Sequence, residues 1–273
     1  MHNANIYCLC LDNNLKSIVS NLNYIPVGLG KKKFDDDWLK DNTGKNISFK
    51  NSYYGEYTFH YWIWKNKIKY YKENEWIGFC TYRRFWSNSP KKKEVTNFKE
   101  FNNTVLNEIP NEWEKYDVIL ADKINLEQIK WSKIFKYGKK ALLQNPGAIF
   151  KKGRNIKFHF DMFHGNHILN QAINLLNNDD KTDFYKFTIQ NNSFNQANMF
   201  VCKSKKLLER YYQSIFPWLE RCEKIFGFDL EGYGKIRIYA FLAERFLPYW
   251  FHKHAKVLEW PIFFYDLNNN QFK

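Results

Sequence analysis

Apolar residues in this chain fall into short continuous runs, separated by charged or turn-forming stretches. The runs at 6–11, 76–80, 116–121 and 197–202 are bounded by polar residues and read as buried strands. Residues 24–30 predict a further strand, broken by Pro26, Gly28 and Gly30. The charged stretch 31–41 reads as a loop and 41–48 as turn-rich chain. Asn51 or Ser52 then caps an expected helix reaching about Tyr71, because Tyr53, Tyr54, Tyr57, Tyr61 and Trp64 recur at helical spacing. Helices are also expected over 158–176, 207–226 and 234–248, with Pro217 kinking the second. A polar excursion begins at 91 and runs through 103, and 256–264 predicts a closing strand. Short strands alternating with helices argue for an α/β sandwich. No repeat and no Pro/Gly/Ser-rich linker divides the chain, so residues 1–273 read as one domain.

At 273 residues, with 44% apolar and 19% aromatic side chains, the chain can bury a core without disulfides or metal. Lys+Arg outnumbers Asp+Glu by 42 to 28, a formal +14, which attracts nucleic acid, anionic membrane, or phosphorylated and acidic substrates. Cys8, Cys10, Cys80, Cys202 and Cys222 form no disulfide framework and read as reduced thiols of a cytoplasmic protein. No second pair completes Cys8-x-Cys10 as a metal site. The N-terminus lacks a basic region followed by a long apolar stretch, so no signal peptide is expected. No run approaches the ~18–20 apolar residues of a membrane span, which leaves peripheral contact with an anionic membrane.

Three constellations carry candidate chemistry. Tyr82-Arg83-Arg84 closes the apolar run at 76–80, where ligands of open α/β sheets bind. Arginine pairs bidentately with phosphate oxygens, so this is a site for a phosphorylated ligand or, as plainly, a surface ion pair. Asp41, Asn46 and Asn51 precede a helix and suit a ribose, base edge or phosphate, or an ordinary capping turn. Glu244-Arg245, with Arg237 earlier on the same predicted helix, is either a general base held ionised or a structural ion pair. Phosphate-loop and dinucleotide glycine motifs are absent, as are the zinc, helix-turn-helix and RNA-recognition signatures of nucleic-acid binding.

Several ordered segments together resemble domain-of-unknown-function family 4422. They are Ile25-Pro-Val-Gly-Leu-Gly30, Asp41-Asn-Thr-Gly-Lys-Asn-Ile-Ser48, Lys50-Asn51, Gly55-Glu-Tyr-Thr58, Tyr61-Trp-Ile-Trp-Lys-Asn66, Gly78-Phe-Cys-Thr-Tyr-Arg-Arg-Phe85, Asn198-Met-Phe-Val201, and Arg237 through Ala243-Glu-Arg245. The family comprises bacterial glycosyltransferases encoded with capsular and other surface-polysaccharide genes. The resemblance implies a GT-A-like, Rossmann-like α/β/α sandwich with a mostly helical C-terminal part. Residues 1–125 would bind a nucleoside-diphosphate sugar, with UDP the favoured carrier, and 126–273 the acceptor. On that view Val27, Gly28, Asp41, Asn46, Asn51, Glu56 and Tyr82 line the donor site. Asn198, Arg237 and Arg245 face the acceptor.

Many GT-A enzymes carry an Asp-x-Asp metal motif where this chain has Tyr82-Arg83-Arg84. The family usually has His at Thr81, and often His-Lys where this chain reads Leu11-Asp12. These departures name no metal ligand and leave Mg2+ or Mn2+ dependence open. The expected reaction is glycosyl transfer onto a capsular or lipopolysaccharide-type glycan, free or lipid-linked, at the inner face of the cytoplasmic membrane. Arg83 and Arg84 stabilise the departing diphosphate, and Glu244 or, second, Asp122 is the base. Nucleic acid is not the expected partner. The rivals are a non-enzymatic basic protein binding nucleic acid or acidic glycan, and a degenerate transferase that keeps the fold without turnover.

Overall fold

The apolar runs become the central strands of a ten-stranded sheet. The computed structural model describes residues 4–268 and 271–272. Its strands are β1 (Ala4–Cys10), β2 (Ile25–Gly28), β3 (Leu39–Lys40), β4 (Trp76–Thr81), β5 (Arg84–Trp86), β6 (Val118–Ala121), β7 (Lys123–Asn125), β8 (Ser193–Asn195), β9 (Phe200–Cys202), β10 (Val257–Trp260), β11 (Ile262–Asp266) and β12 (Gln271–Phe272). The main order is β10-β6-β9-β4-β1-β2-β3, with β5, β11 and β12 extending it, and β7-β8 form a separate ribbon.

β1 is parallel to both β2 and β4, β2 to β3, and β6 to β10. β9 runs against both β4 and β6. All of these except β9 therefore end at one rim of the sheet. Every residue of β4 and β6 is buried, as parallel strands covered on both faces require. Gly78 lets β9 approach: a Cβ there would lie 3.0 Å from Val201 Cγ2.

The chain divides into two compact units. Unit 1 comprises Met1–Asp122, Met199–Tyr212 and Phe251–Lys273, and holds the large sheet. Unit 2 comprises Lys123–Asn198 and Gln213–Trp250 and is built mainly of helices, with the β7–β8 ribbon. Unit 2 contains two buried apolar clusters, one around Ile134, Ala148 and Phe158 and one around Leu126, Ile156 and Phe194.

Several expected elements change. The helix expected from Asn51 to Tyr71 is broken at Gly55, where φ is +54°. Asn51 does not cap its start; its amide donates to the Gly55 carbonyl and to Thr58 Oγ1, holding the break. Glu56 consequently precedes the next helix, Tyr57–Trp62, and a π turn and a 3-10 turn follow. The predicted helix over 158–176 is two helices, Ile156–His164 and Ile168–Asn174, interrupted by Gly165 and the left-handed His167. The helix expected to end at Pro248 runs from Ile238 to His254. An interior proline costs a helix about 3 kcal/mol, but Leu247, Tyr249, Trp250 and Phe251 are all buried around it. The helix Lys205–Phe226 likewise runs through Pro217. The closing strand is two strands separated by Pro261. Residues 98–104 of the supposed polar excursion form a helix, capped by the Asn97 side chain on Glu100 N.

Candidate active site

The rim of unit 1 is assembled by backbone pairing at the ends of β1, β2, β3, β4 and β6. Tyr82 N–H donates to the Leu9 carbonyl at 3.2 Å, and Leu29 N–H to the Cys10 carbonyl at 3.1 Å. The turn after β2 and the turn after β4 thus flank the end of β1. Asp41, just after β3, closes the first turn: its own N–H donates to the Gly28 carbonyl, and its Oδ1 accepts from Gly30 N at 3.0 Å. Gly30 is left-handed, with φ +73°, and a Cβ on it would lie 2.9 Å from Asn51 Oδ1. A Cβ on Gly28 would strike the Phe34 ring at 2.5 Å. Packing therefore demands both glycines, and the left-handed turn demands Gly30 as well.

Asp41 is fully buried, and burial raises its pKa above the ordinary carboxylate value against the Thr58 hydroxyl and the Gly30 N–H. At the same strand ends, Thr81 Oγ1 at the end of β4 and Asp122 Oδ1 just past β6 are buried without a hydrogen-bond partner. Asp122 Oδ2 accepts from Lys92 Nζ at 3.0 Å, and its N–H donates to the Trp260 carbonyl.

Tyr82 and Arg83 form the two-residue turn of a hairpin, since Thr81 pairs with Arg84 across it. Arg84 is the first residue of β5 and pairs with Phe264 of β11. The Arg83 and Tyr82 carbonyls accept from Tyr265 N and Leu267 N, so the turn is fixed on both sides. Arg83 is exposed and Arg84 half-buried, and neither enters an ion pair among the described residues. The Arg83 guanidinium lies 4.9 Å from the Tyr82 ring centre. Burial raises the Tyr82 pKa, while Arg83 acts to lower it.

The other expected donor residues build this rim more than they face outward. Val27 is fully buried between β1 and β3. Asn46 uses its amide on the Gly44 carbonyl and its Oδ1 on the N–H and hydroxyl of Ser48. Among the described residues no group of three or more His, Cys, Asp or Glu is arranged to hold a metal ion.

Unit 2 gathers the remaining predicted residues. Ala197 and Asn198 both have positive φ, +73° and +50°. Glu244 Oε1 accepts from Ala197 N at 2.7 Å, and the Asn198 amide donates to the Ala240 carbonyl at 3.2 Å. Glu244 Oε2 is paired with Arg245. Both Glu244 oxygens are thus engaged, which fits a carboxylate holding a strained turn better than a free base. Arg245 is 1% exposed; it donates to His159 Nδ1 at 3.1 Å and lies over the Phe194 ring at 4.4 Å. His164, whose Nδ1 lies 2.9 Å from the Gly234 carbonyl, stacks on Phe241. Burial, reinforced by Arg245, lowers the His164 pKa to about 3 and carries that of His159 well below its ordinary value. Both rings are neutral. Arg237 lies over the ring of Tyr233 at 5.7 Å. The two histidines were not site candidates; only the proximity of 159 and 164 in sequence hinted at them.

Comparison with known proteins places this geometry. The sequence model of one family, described as domain of unknown function (DUF4422), matches residues 9–255. The apo structure of the bifunctional glycosyltransferase WbbM aligns with a TM-score of 0.68 over 96% of this chain, at 21% identity. That alignment spans 45% of the WbbM chain, so the present chain covers under half its length. No curated protein matches. The α/β fold is GT-A-like.

Proposed function

The chain belongs to the DUF4422 family, and from that premise we propose that it is a glycosyltransferase using a nucleoside-diphosphate sugar, with UDP the favoured carrier. The observation that carries the reading is the rim of unit 1. Two arginines without carboxylate partners among the described residues stand on the same rim as a glycine turn. Arginine forks fit the oxygens of a diphosphate, and charge placed where the leaving group develops it lowers the barrier. Arg83 and Arg84 take that role. The turn at Gly28–Gly30, held by Asp41 and Asn51, receives the nucleotide, and Tyr82 and Glu56 flank it.

The acceptor is a capsular or lipopolysaccharide-type glycan, free or lipid-linked, received by unit 2 with Asn198 and Arg237. Arg245 acts as a positioning residue. An acceptor hydroxyl must lose a proton as it attacks the anomeric carbon and the diphosphate departs. Asp122 is the better base, because one of its oxygens lacks a donor while both oxygens of Glu244 are engaged. Among the described residues no helix is long and apolar enough to cross a membrane. We place the enzyme at the inner face of the cytoplasmic membrane, held there by its basic charge.

A thermal-shift screen with nucleoside-diphosphate sugars tests this. A ligand at 100 times its Kd should stabilise the fold by about 2.7 kcal/mol. No stabilisation by any member, alongside binding to arbitrary oligonucleotides or an acidic glycan, would overturn it.

A further inference from the structure

The stretch 130–152 of unit 2 turns large apolar side chains and positive charge toward water together. Six of the thirteen exposed large apolar residues among those described lie here: Trp131, Phe135, Tyr137, Leu143, Ile149 and Phe150. Leu143 is 82% and Phe150 74% exposed. Seven lysines share the stretch, all exposed, and no Asp or Glu occurs between Glu127 and Asp161.

The local fold explains the outward display. The stretch forms the helices Trp131–Tyr137 and Lys139–Gln144, followed by two 3-10 turns. Ile134, Ala141 and Ala148 point inward and pack with Phe158 and Met162. The larger residues are left outside. Trp131 and Phe135, one helical turn apart, stack at 5.6 Å. The Arg154 guanidinium braces Trp131 from 4.7 Å, while its nitrogens donate to the carbonyls of Ala148, Glu127 and Ile129. The surface is therefore preformed.

Six large apolar side chains exposed within 20 residues of chain, two of them stacked on each other, mark contact with something less polar than water. Seven lysines without one acid select an anionic partner. Nucleic acid would satisfy the charge but leave Leu143, Ile149 and Phe150 in water. An anionic bilayer satisfies both, with aromatic rings at headgroup depth, aliphatic side chains below them and lysines among the phosphates. We propose that residues 130–152 form a membrane-docking surface seated on anionic lipid headgroups. The assignment stands apart from the glycosyl-transfer reading, since vesicle binding needs no turnover.

Flotation of the full chain with vesicles tests it. The protein should float with phosphatidylglycerol–phosphatidylethanolamine vesicles at physiological salt and remain behind with pure phosphatidylcholine. Lys133→Glu/Lys136→Glu/Lys140→Glu should weaken partitioning at least about 100-fold, at about fivefold per lysine lost. Leu143→Ser/Phe150→Ser should weaken it about tenfold or more without changing its salt dependence. Lys91→Glu/Lys93→Glu/Lys99→Glu makes the same charge change on unit 1 and should leave most of the binding. Equal loss in that control would reduce the effect to net charge and overturn the proposal. So would no vesicle binding, or an oligonucleotide or a second copy of the chain covering the patch instead. As a check free of charge variants, brominated lipid should quench the unaltered chain more than Trp131→Phe; equal quenching would also refute it.

Discussion

Two pairs of arginines sit in this molecule under opposite conditions. Arg154 and Arg245, in unit 2, are 2% and 1% exposed. Each is surrounded by acceptors: carbonyls for Arg154, and Glu244, His159 and the Phe241 carbonyl for Arg245. Arg83 and Arg84, in unit 1, are adjacent, the first exposed and the second half-buried, and neither has a carboxylate partner among the described residues. A buried guanidinium needs most of its donors met inside, because desolvating an unmet charge costs several kcal/mol. The fold meets the donors of Arg154, and those of Arg245 apart from Nε. The fold supplies the hairpin pair with less: Arg83 lies over the Tyr82 ring, and no ion pair among the described residues offsets the two adjacent charges. On the proposed reading, the diphosphate of a bound donor would offset them.

Removing one arginine from each pair should break the molecule in different ways. Arg245→Ala leaves Glu244 partly buried without its counterion and opens a cavity beside Phe194. It should lower the unfolding free energy by about 3–5 kcal/mol in a urea titration. A loss below about 1 kcal/mol would make Arg245 a spectator and free Glu244 for another role.

Arg83→Ala should behave in the reverse sense. An exposed side chain without an ion pair contributes within about 0.5 kcal/mol of stability. Turnover of the donor should nevertheless fall about 10²–10³-fold, equivalent to about 2.7–4 kcal/mol of transition-state stabilisation. Arg83→Lys should restore only part of the rate, because an ammonium cannot make the two-point contact. Near-normal turnover in the alanine variant would take the hairpin out of the mechanism.

How far this contrast could be read in the chain depends on the reach of each signal. β4 and β6 were legible because both faces are buried, which leaves continuous apolar runs such as Trp76-Ile-Gly-Phe-Cys80. Arg83 and Arg84 were legible as a charge anomaly at the end of such a run. The hairpin was not, because β5 has three residues and owes its pairing to β11, nearly 180 residues later. Asp41 stood out beside its glycines, but its partner, the Gly30 N–H, belongs to a backbone conformation no spacing reveals. Asn51 was misjudged for a related reason: an asparagine ahead of a helical pattern suits a cap, and only the left-handed Gly55 shows which carbonyl its amide serves. The setting of Arg245 was least visible. His159 and Phe194 meet it from 86 and 51 positions away, with no pattern linking them.

The smallest expected effect concerns the buried histidines, and it sharpens the contrast by titrating the interiors of both units. In unit 1, His60 packs against Phe79 and Phe200, with Nδ1 3.0 Å from the Tyr212 hydroxyl. Burial lowers its pKa to about 3, as burial and Arg245 do for His164 in unit 2. An unfolded histidine titrates near 6.5, so between about pH 6.5 and 3 the unfolded chain binds the extra protons. Stability is then complete above about pH 6.5 and falls as the pH drops toward 3, by up to about 1.4 kcal/mol per pH unit for each histidine. The raised carboxyls of Asp41 and Asp161 act in the opposite sense, adding stability as they take up protons, so a single scan mixes the two. His60→Phe separates them. It keeps the ring stacking, removes the contact between Nδ1 and the Tyr212 hydroxyl at every pH, and removes one titrating group. Urea unfolding at pH 7, 6 and 5 should show a uniform loss of about 1 kcal/mol from the lost hydrogen bond and a slope shallower by about one proton. A slope equal to that of the unaltered chain would mean that His60 takes up its proton in the folded state, and that the core of unit 1 admits charge as readily as its rim.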